Sequence, residues 1–369
     1  MIQKQRLLDS FLAYVQIDSE SKSEGPMARR LEAEMKEIGC ETYVDKAGEL
    51  IGGDTGNLYC VLPGDPALDP LIFTAHMDTV KPGNGVKPVI RDGVIYSDGS
   101  TVLGGDDKVG VAAIVETFRV IQENKLPHPT LTALFTIHEE GGLLGSQHLE
   151  YERLQGNKAF VLDSSGAPGK VIISAPGQMK LNVTIQGRTA HAGVSPESGI
   201  SAIQAAAEAI AHMNLLRIDE ETTANIGTIK SEFATNVVPD QAVIIGEVRS
   251  RNNQKLQDHA QHMLDCVKQG CERFGATFTG GLLHSYSGYT VDPESDIIRL
   301  IRRACEHDGL ELVLAPGGGG SDANNINLHG ISAVPLGTGM TKVHTTGEQL
   351  SIAHMEQLTQ LVLTLATQG

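Results

Sequence analysis

The chain has 369 residues, with 29 Lys plus Arg against 45 Asp plus Glu, a formal net charge of −16 when His is counted as neutral. Such a charge opposes encounter with a phosphate backbone or an anionic bilayer, so neither nucleic acid nor membrane is an expected partner. The length suits about two domains, and a hydrophobic content of 40% is enough for a core in each.

The first fifteen residues mix Lys4, Arg6 and Asp9 into an amphipathic pattern and lack the unbroken apolar run of a signal peptide. Residues 27–38 are predicted to form an amphipathic helix closed by Gly39, and residues 71–75 a buried strand. Val111, Ile114, Val115, Phe118 and Ile121 recur at helical spacing behind Lys108, and residues 131–137 and 159–162 are further buried strands. Strands alternating with helices predict an α/β domain. Residues 164–177, with three Gly and two Pro, read as a linker. Beyond them, strands at 180–186 and 241–249 and helices around 200–210 and 256–274 predict an α+β sandwich of one sheet and one helical layer. After Tyr289 the first pattern returns: a helix at 297–307, a strand at 311–314, a glycine run at 317–320 and a last helix at 353–366. The expected organisation is one α/β domain of residues 1–177 and 290–369, interrupted by a smaller domain of residues 178–289. Five cysteines, odd in number and without a C-x-x-C pair, argue against a disulfide framework or a thiolate metal site and point to the reducing cytoplasm.

Three of the buried strands end in polar residues. The first runs into His76-Met77-Asp78, where two residues of extended backbone project to one side, so Asp78 can reach and orient the His76 ring. The second runs into His138-Glu139-Glu140, whose adjacent carboxylates diverge, one toward a metal and the other toward a water as general base. The third delivers Asp163. In open α/β sheets the ligand site lies at the carboxyl ends of the strands, which brings these residues together. Asp106 and Asp107 open the helix that follows, and locally they read as an N-cap pair. Nothing near His344 separates it from the other twelve histidines.

Together, His76-Met77-Asp78-Thr79-Val80, Gly104-Gly105-Asp106-Asp107-Lys108, His138-Glu139-Glu140-Gly141, Val161-Leu162-Asp163 and the late His344 resemble the M20 metallopeptidase family, and within it the peptidase T-like branch of aminotripeptidases. The resemblance implies a zinc-exopeptidase-like catalytic domain with a mixed sheet flanked by helices, and an inserted α+β sandwich that serves as a lid or dimerisation domain. It implies that His76 and Asp163 hold one zinc, that Glu140 and His344 hold the other, and that Asp106 bridges both. Cobalt or manganese are the expected substitutes. Asp78 would orient His76, Glu139 would be the general base, and the bond between Asp106 and Asp107 would be cis. From the inserted domain, His191 in Gly187-Arg188-Thr189-Ala190-His191-Ala192 would stabilise the oxyanion, often from the partner of a homodimer. Asn236, Arg249, Gly320 and Ser321 fall at places linked to substrate binding. The implied reaction is hydrolysis of the N-terminal peptide bond of short peptides in the cytoplasm. The alternative with the same centre is an N-acyl-amino-acid amidohydrolase, deacetylase or dipeptidase.

A nucleotide-binding reading of the glycine run at 317–320 fails, since neither G-x-x-x-x-G-K-[ST] nor a strand-embedded G-x-G-x-x-G is present. A non-catalytic binding module would need a lost ligand or base, and every expected position is filled.

Overall fold

The computed structural model describes residues 1–368 and divides into two units. The first comprises residues 1–173, 291–317 and 321–368, and the second residues 174–290 with 318–320.

In the first unit the buried strands form one mixed sheet. Leu71–His76 lies parallel between Leu131–Thr136 and Lys158–Ser164, and Ser332–Gly337 extends the parallel set beyond Lys158–Ser164. Leu58–Leu62 and Glu41–Val44 continue the other edge in antiparallel sense. Both faces of the central strands are covered: every residue of Leu71–His76 and of Leu131–Thr136 is buried, which explains unbroken apolar runs in place of alternation. The covering helix Gly105–Asn124 packs on the sheet and against Lys4–Val15 and Ile352–Gln368. A second, four-stranded sheet pairs the hairpin of Val89–Arg91 and Val94–Tyr96 with a hairpin of Met340–Thr341 and Gln349–Ser351. Residues 342–348 are therefore the connecting loop of a hairpin.

The second unit is an antiparallel sheet in the order Leu216–Arg217, Thr222–Lys230, Gln241–Ser250, Gly177–Gln186, Thr277–Tyr286. One face of it carries the helices Ala202–His212 and Asn253–Phe274, with Leu181, Val183, Ile185, Ile244, Val248, Met263 and Val267 in the shared core. Alternation along Gln241–Ser250 follows from this single covered face.

One expectation fails. Residues 164–177 are no linker, because they include the strand Lys170–Ala175, which pairs with Ser332–Gly337 through Val171. The glycines that suggested a linker make the tight turn before that strand, with Gly166 and Gly169 at φ 105° and 98°. Among the described residues no helix is long and apolar enough to cross a membrane, and all five cysteines are free and buried.

Candidate metal centre

The parallel strands of the first unit share one carboxyl end, and the acidic and imidazole side chains collect there. His76 is the last residue of Leu71–His76, Glu139 and Glu140 follow Leu131–Thr136, and Asp163 is the penultimate residue of Lys158–Ser164. Asp106 arrives from the turn that opens the helix Gly105–Asn124, where Gly104 has φ 72° and the bond to Asp107 is cis.

The two aspartates of that turn have different partners. Asp107 accepts the backbone N–H groups of His76 at 3.3 Å and Gly110 at 3.2 Å, so the capping role read from the local sequence belongs to it. Asp106 turns its carboxylate to two imidazoles: Oδ1 lies 3.0 Å from His76 Nε2 and Oδ2 lies 3.2 Å from His344 Nε2. His344 Nε2 is also 3.0 Å from Glu140 Oε1, and His76 Nε2 is 3.9 Å from Asp163 Oδ1. Two trios result, His76 with Asp106 and Glu140, and His76 with Glu139 and Asp163, each offering donor atoms within 4.8 Å of one another.

Negative charge packed this densely raises proton affinity. Burial, and then the charge of Asp163, pushes Glu139 well above the ordinary carboxyl range, and burial followed by Asp106 does the same to Asp163. Hydrogen bonds to Asp106 and Glu140 lift His344 to about 10. A site that gathers protons in this way also attracts cations, because both relieve the same repulsion. Imidazole nitrogen and carboxylate oxygen without thiolate is a donor set that fits zinc, cobalt or manganese.

Asp78 does more than the strand spacing suggests. The nearest contact of His76 Nδ1 is the backbone carbonyl of Asp78 at 2.9 Å, with the carboxylate 3.5 Å away. That carboxylate instead accepts the N–H groups of Glu139 at 2.9 Å and Glu140 at 3.2 Å, and the Ser21 hydroxyl at 2.6 Å. Buried Glu24 accepts the preceding N–H, from His138, at 3.0 Å. Three successive amides of the Glu139–Glu140 turn thus end on two buried carboxylates. Sequence reasoning missed Glu24, which lies 114 residues from its partner.

The remaining expected residues lie elsewhere. His191 is exposed in the second unit, where its backbone pairs with Val237 and its Nδ1 accepts the N–H of Gly193 at 3.2 Å. Asn236 is exposed beside it, its carbonyl accepting the N–H of Ala192 at 2.9 Å. Arg249 donates through Nε and Nη2 to Glu247, at 2.9 and 3.2 Å, so one edge of its guanidinium is paired with a carboxylate of its own strand. At Gly320 a Cβ would lie 2.4 Å from the Tyr286 ring, so only glycine fits that approach. Ser321, in the first unit, is buried at the start of the helix Asp322–Leu328, where its N–H meets Asn324 Oδ1 at 3.0 Å.

Residues 173–274 match the peptidase dimerisation domain of the M20 group, and residues 57–215 match peptidase family M28. The crystal structure of aminopeptidase PepT from Bacillus cereus is 40% identical, covering 99% of this chain and 98% of that one with a TM-score of 0.91. A tripeptidase from Staphylococcus aureus is 37% identical over 100% of this chain and 98% of its own, with a TM-score of 0.95. An uncharacterized protein from Bacillus subtilis, YqjE, is 39% identical over 99% of this chain and 98% of its own length.

Proposed function

The chain belongs to the peptidase T-like branch of the M20 metallopeptidases, and from that premise we propose that it removes the N-terminal residue of short peptides, tripeptides foremost, at a two-metal centre. The observation that carries this reading is the convergence of His76, Asp106, Glu139, Glu140, Asp163 and His344 at one end of the sheet. In it His76 and Asp163 would hold one ion and Glu140 and His344 the other, with Asp106 between the two imidazoles available to both, and zinc is the expected metal. When bound, such a pair supplies Lewis acidity toward a peptide carbonyl and toward water.

Glu139 takes a proton from the attacking water at its carboxylate as the new C–O bond forms, and returns it to the peptide nitrogen as the C–N bond breaks. Burial first, and then the charge of Asp163, raise its proton affinity, which favours acceptance of that proton. Asp78 and Glu24 fix the backbone on which Glu139 rides, which limits the reorganisation needed during the reaction. His191 donates to the developing oxyanion, and Asn236, Arg249, Gly320 and Ser321 contact substrate. The second unit serves as a lid and as the interface of a homodimer in the cytoplasm.

The test incubates metal-loaded protein with di-, tri- and tetrapeptides and N-acetyl amino acids, identifying products by mass. Release of the N-terminal residue from tripeptides, lost on chelation and regained with zinc, cobalt or manganese, is the expected result. Full activity in metal-free protein would remove the metal reading. Faster turnover of N-acetyl amino acids than of any peptide would transfer the assignment to the amidohydrolase alternative.

A further inference from the structure

Glu348 lies four residues beyond His344 in the hairpin loop, yet its side chain is buried at 1% exposure. Its Oε2 accepts the N–H groups of Leu103 at 2.8 Å and Gly104 at 2.9 Å, and its Oε1 accepts the N–H of Asp106 at 2.9 Å. We infer that Glu348 is a positioning residue that locks the His344 loop to the Asp106 turn and so sets the geometry of the second metal site. The inference rests on the two-metal reading above and concerns this chain's own residues toward the ions.

The contacts close on themselves. Asp106 is held at its N–H by Glu348 and at its carboxylate by His344, and both partners belong to one loop. That loop is braced internally: the N–H of Glu348 donates to the Thr345 carbonyl at 3.1 Å, and Thr345 Oγ1 donates to the Lys342 carbonyl at 2.7 Å. The N–H of Gly347 donates in turn to Thr345 Oγ1 at 3.2 Å. His344 itself sits at φ 62°, a left-handed conformation uncommon for a residue other than glycine. On the facing turn, Gly104 supplies the left-handed backbone, and a Cβ at Gly105 would stand 3.0 Å from Glu348 Oε1, so the turn is shaped to receive this carboxylate. His344 is the most open of the proposed ligands, its side chain 53% exposed, and therefore gains most from a buried tether.

An amide in place of the carboxylate separates positioning from charge. The single oxygen of Glu348→Gln can serve Leu103 and Gly104 or it can serve Asp106. Its NH₂ group then faces an N–H that has lost its acceptor. Glu348→Asp keeps the charge and loses the reach to span both partners.

The experiment titrates metal-free wild-type, Glu348→Gln and Glu348→Asp proteins with Co²⁺, following uptake by calorimetry and visible absorption, with circular dichroism as the check on folding. Wild type should take two ions. Both variants should keep the first affinity and bind the second ion 10–100-fold more weakly, the range found when a group supporting a ligand is removed. Two ions bound with wild-type affinities by a folded variant would overturn the inference while leaving the two-metal reading intact. Wild-type protein that takes no second ion would overturn that reading and the inference with it. If Glu348→Gln does not fold, Glu348→Asp alone decides.

Discussion

Glu139 and Glu140 are neighbours in sequence with different partners: Glu140 reaches His344, whereas Glu139 lies with His76 and Asp163. Glu139→Gln preserves shape and removes only the ability to take a proton. It should retain both metals and lose ~10²–10⁴-fold in turnover, measured by single-turnover hydrolysis beside metal analysis. Near-normal turnover would take the base role away from Glu139. Glu24 offers a test of a different kind. Burial first, and then the charge of Asp78, raise its carboxyl from the ordinary 4.5 to about 7. The folded state therefore holds a proton that the unfolded chain has released between those two values. The resulting stabilisation is complete below about pH 4.5, and stability falls as pH rises through 7. Glu24→Gln removes this contribution, so its stability relative to wild type should improve by up to about 3 kcal/mol between pH 5 and pH 8. Denaturant unfolding at the two pH values reads the difference; an identical change in both proteins would mean that Glu24 does not titrate there.

At the scale of elements, the helix Lys4–Val15 docks by Leu7, Phe11, Tyr14 and Val15, and by ion pairs from Lys4 to Glu356 and from Arg6 to Glu116 and Glu123. Arg6 reaches Glu116 through Nε at 2.7 Å and Nη2 at 3.0 Å, and Glu116 also accepts the N–H of Gln3 at 2.7 Å. Arg6→Ala strands a buried carboxylate on the helix that presents Asp106. The cost should be about 2 kcal/mol, below that of a fully buried pair because the Arg6 side chain is 27% exposed. The denaturation midpoint should drop while turnover at 25 °C stays unchanged; an unaltered midpoint would show that apolar docking alone suffices. These elements were legible because the sheet is covered on both faces: strands such as Leu131–Thr136 appear as unbroken apolar runs whose first polar residues mark the site. Lys170–Ala175 was not legible, since the turn glycines before it dominate its composition. Glu348 was not legible either, because it bonds backbone groups more than 240 positions away, and backbone N–H groups leave no mark on sequence. His344 was anonymous for the same reason, since only hairpin pairing brings its loop to Asp106. The resemblance to a family supplied it where local pattern did not.

At the scale of the molecule, the proposed homodimer makes a claim that mixing can check. His191→Ala and Glu139→Gln chains should each be deficient, and if His191 acts across the dimer a hybrid contains one intact combination. Co-refolded mixtures should recover up to about a quarter of wild-type activity, allowing one intact site in each of the half of dimers that are hybrid. Stable hybrids with no recovery would confine His191 to its own chain or remove it from the reaction. Recovery would instead make the dimer a catalytic requirement, and dilution below its dissociation constant should then lower specific activity.

The order in which the chain leaves the ribosome has a consequence for when this enzyme switches on. Lys158–Ser164 has its outer neighbour in Ser332–Gly337, and His344 follows later still, after the whole second unit has been made. At ~5–20 residues per second, roughly 10–30 s separate the emergence of the two strands. Through that interval the nascent sheet presents an unpaired edge, and Asp106 and Asp163 have no His344 or Glu348 beside them. Synthesis itself therefore acts as a timer. On the proposed two-metal reading the centre is complete only once His344 and Glu348 have been made, so a ribosome-bound chain stalled before His344 should hydrolyse nothing.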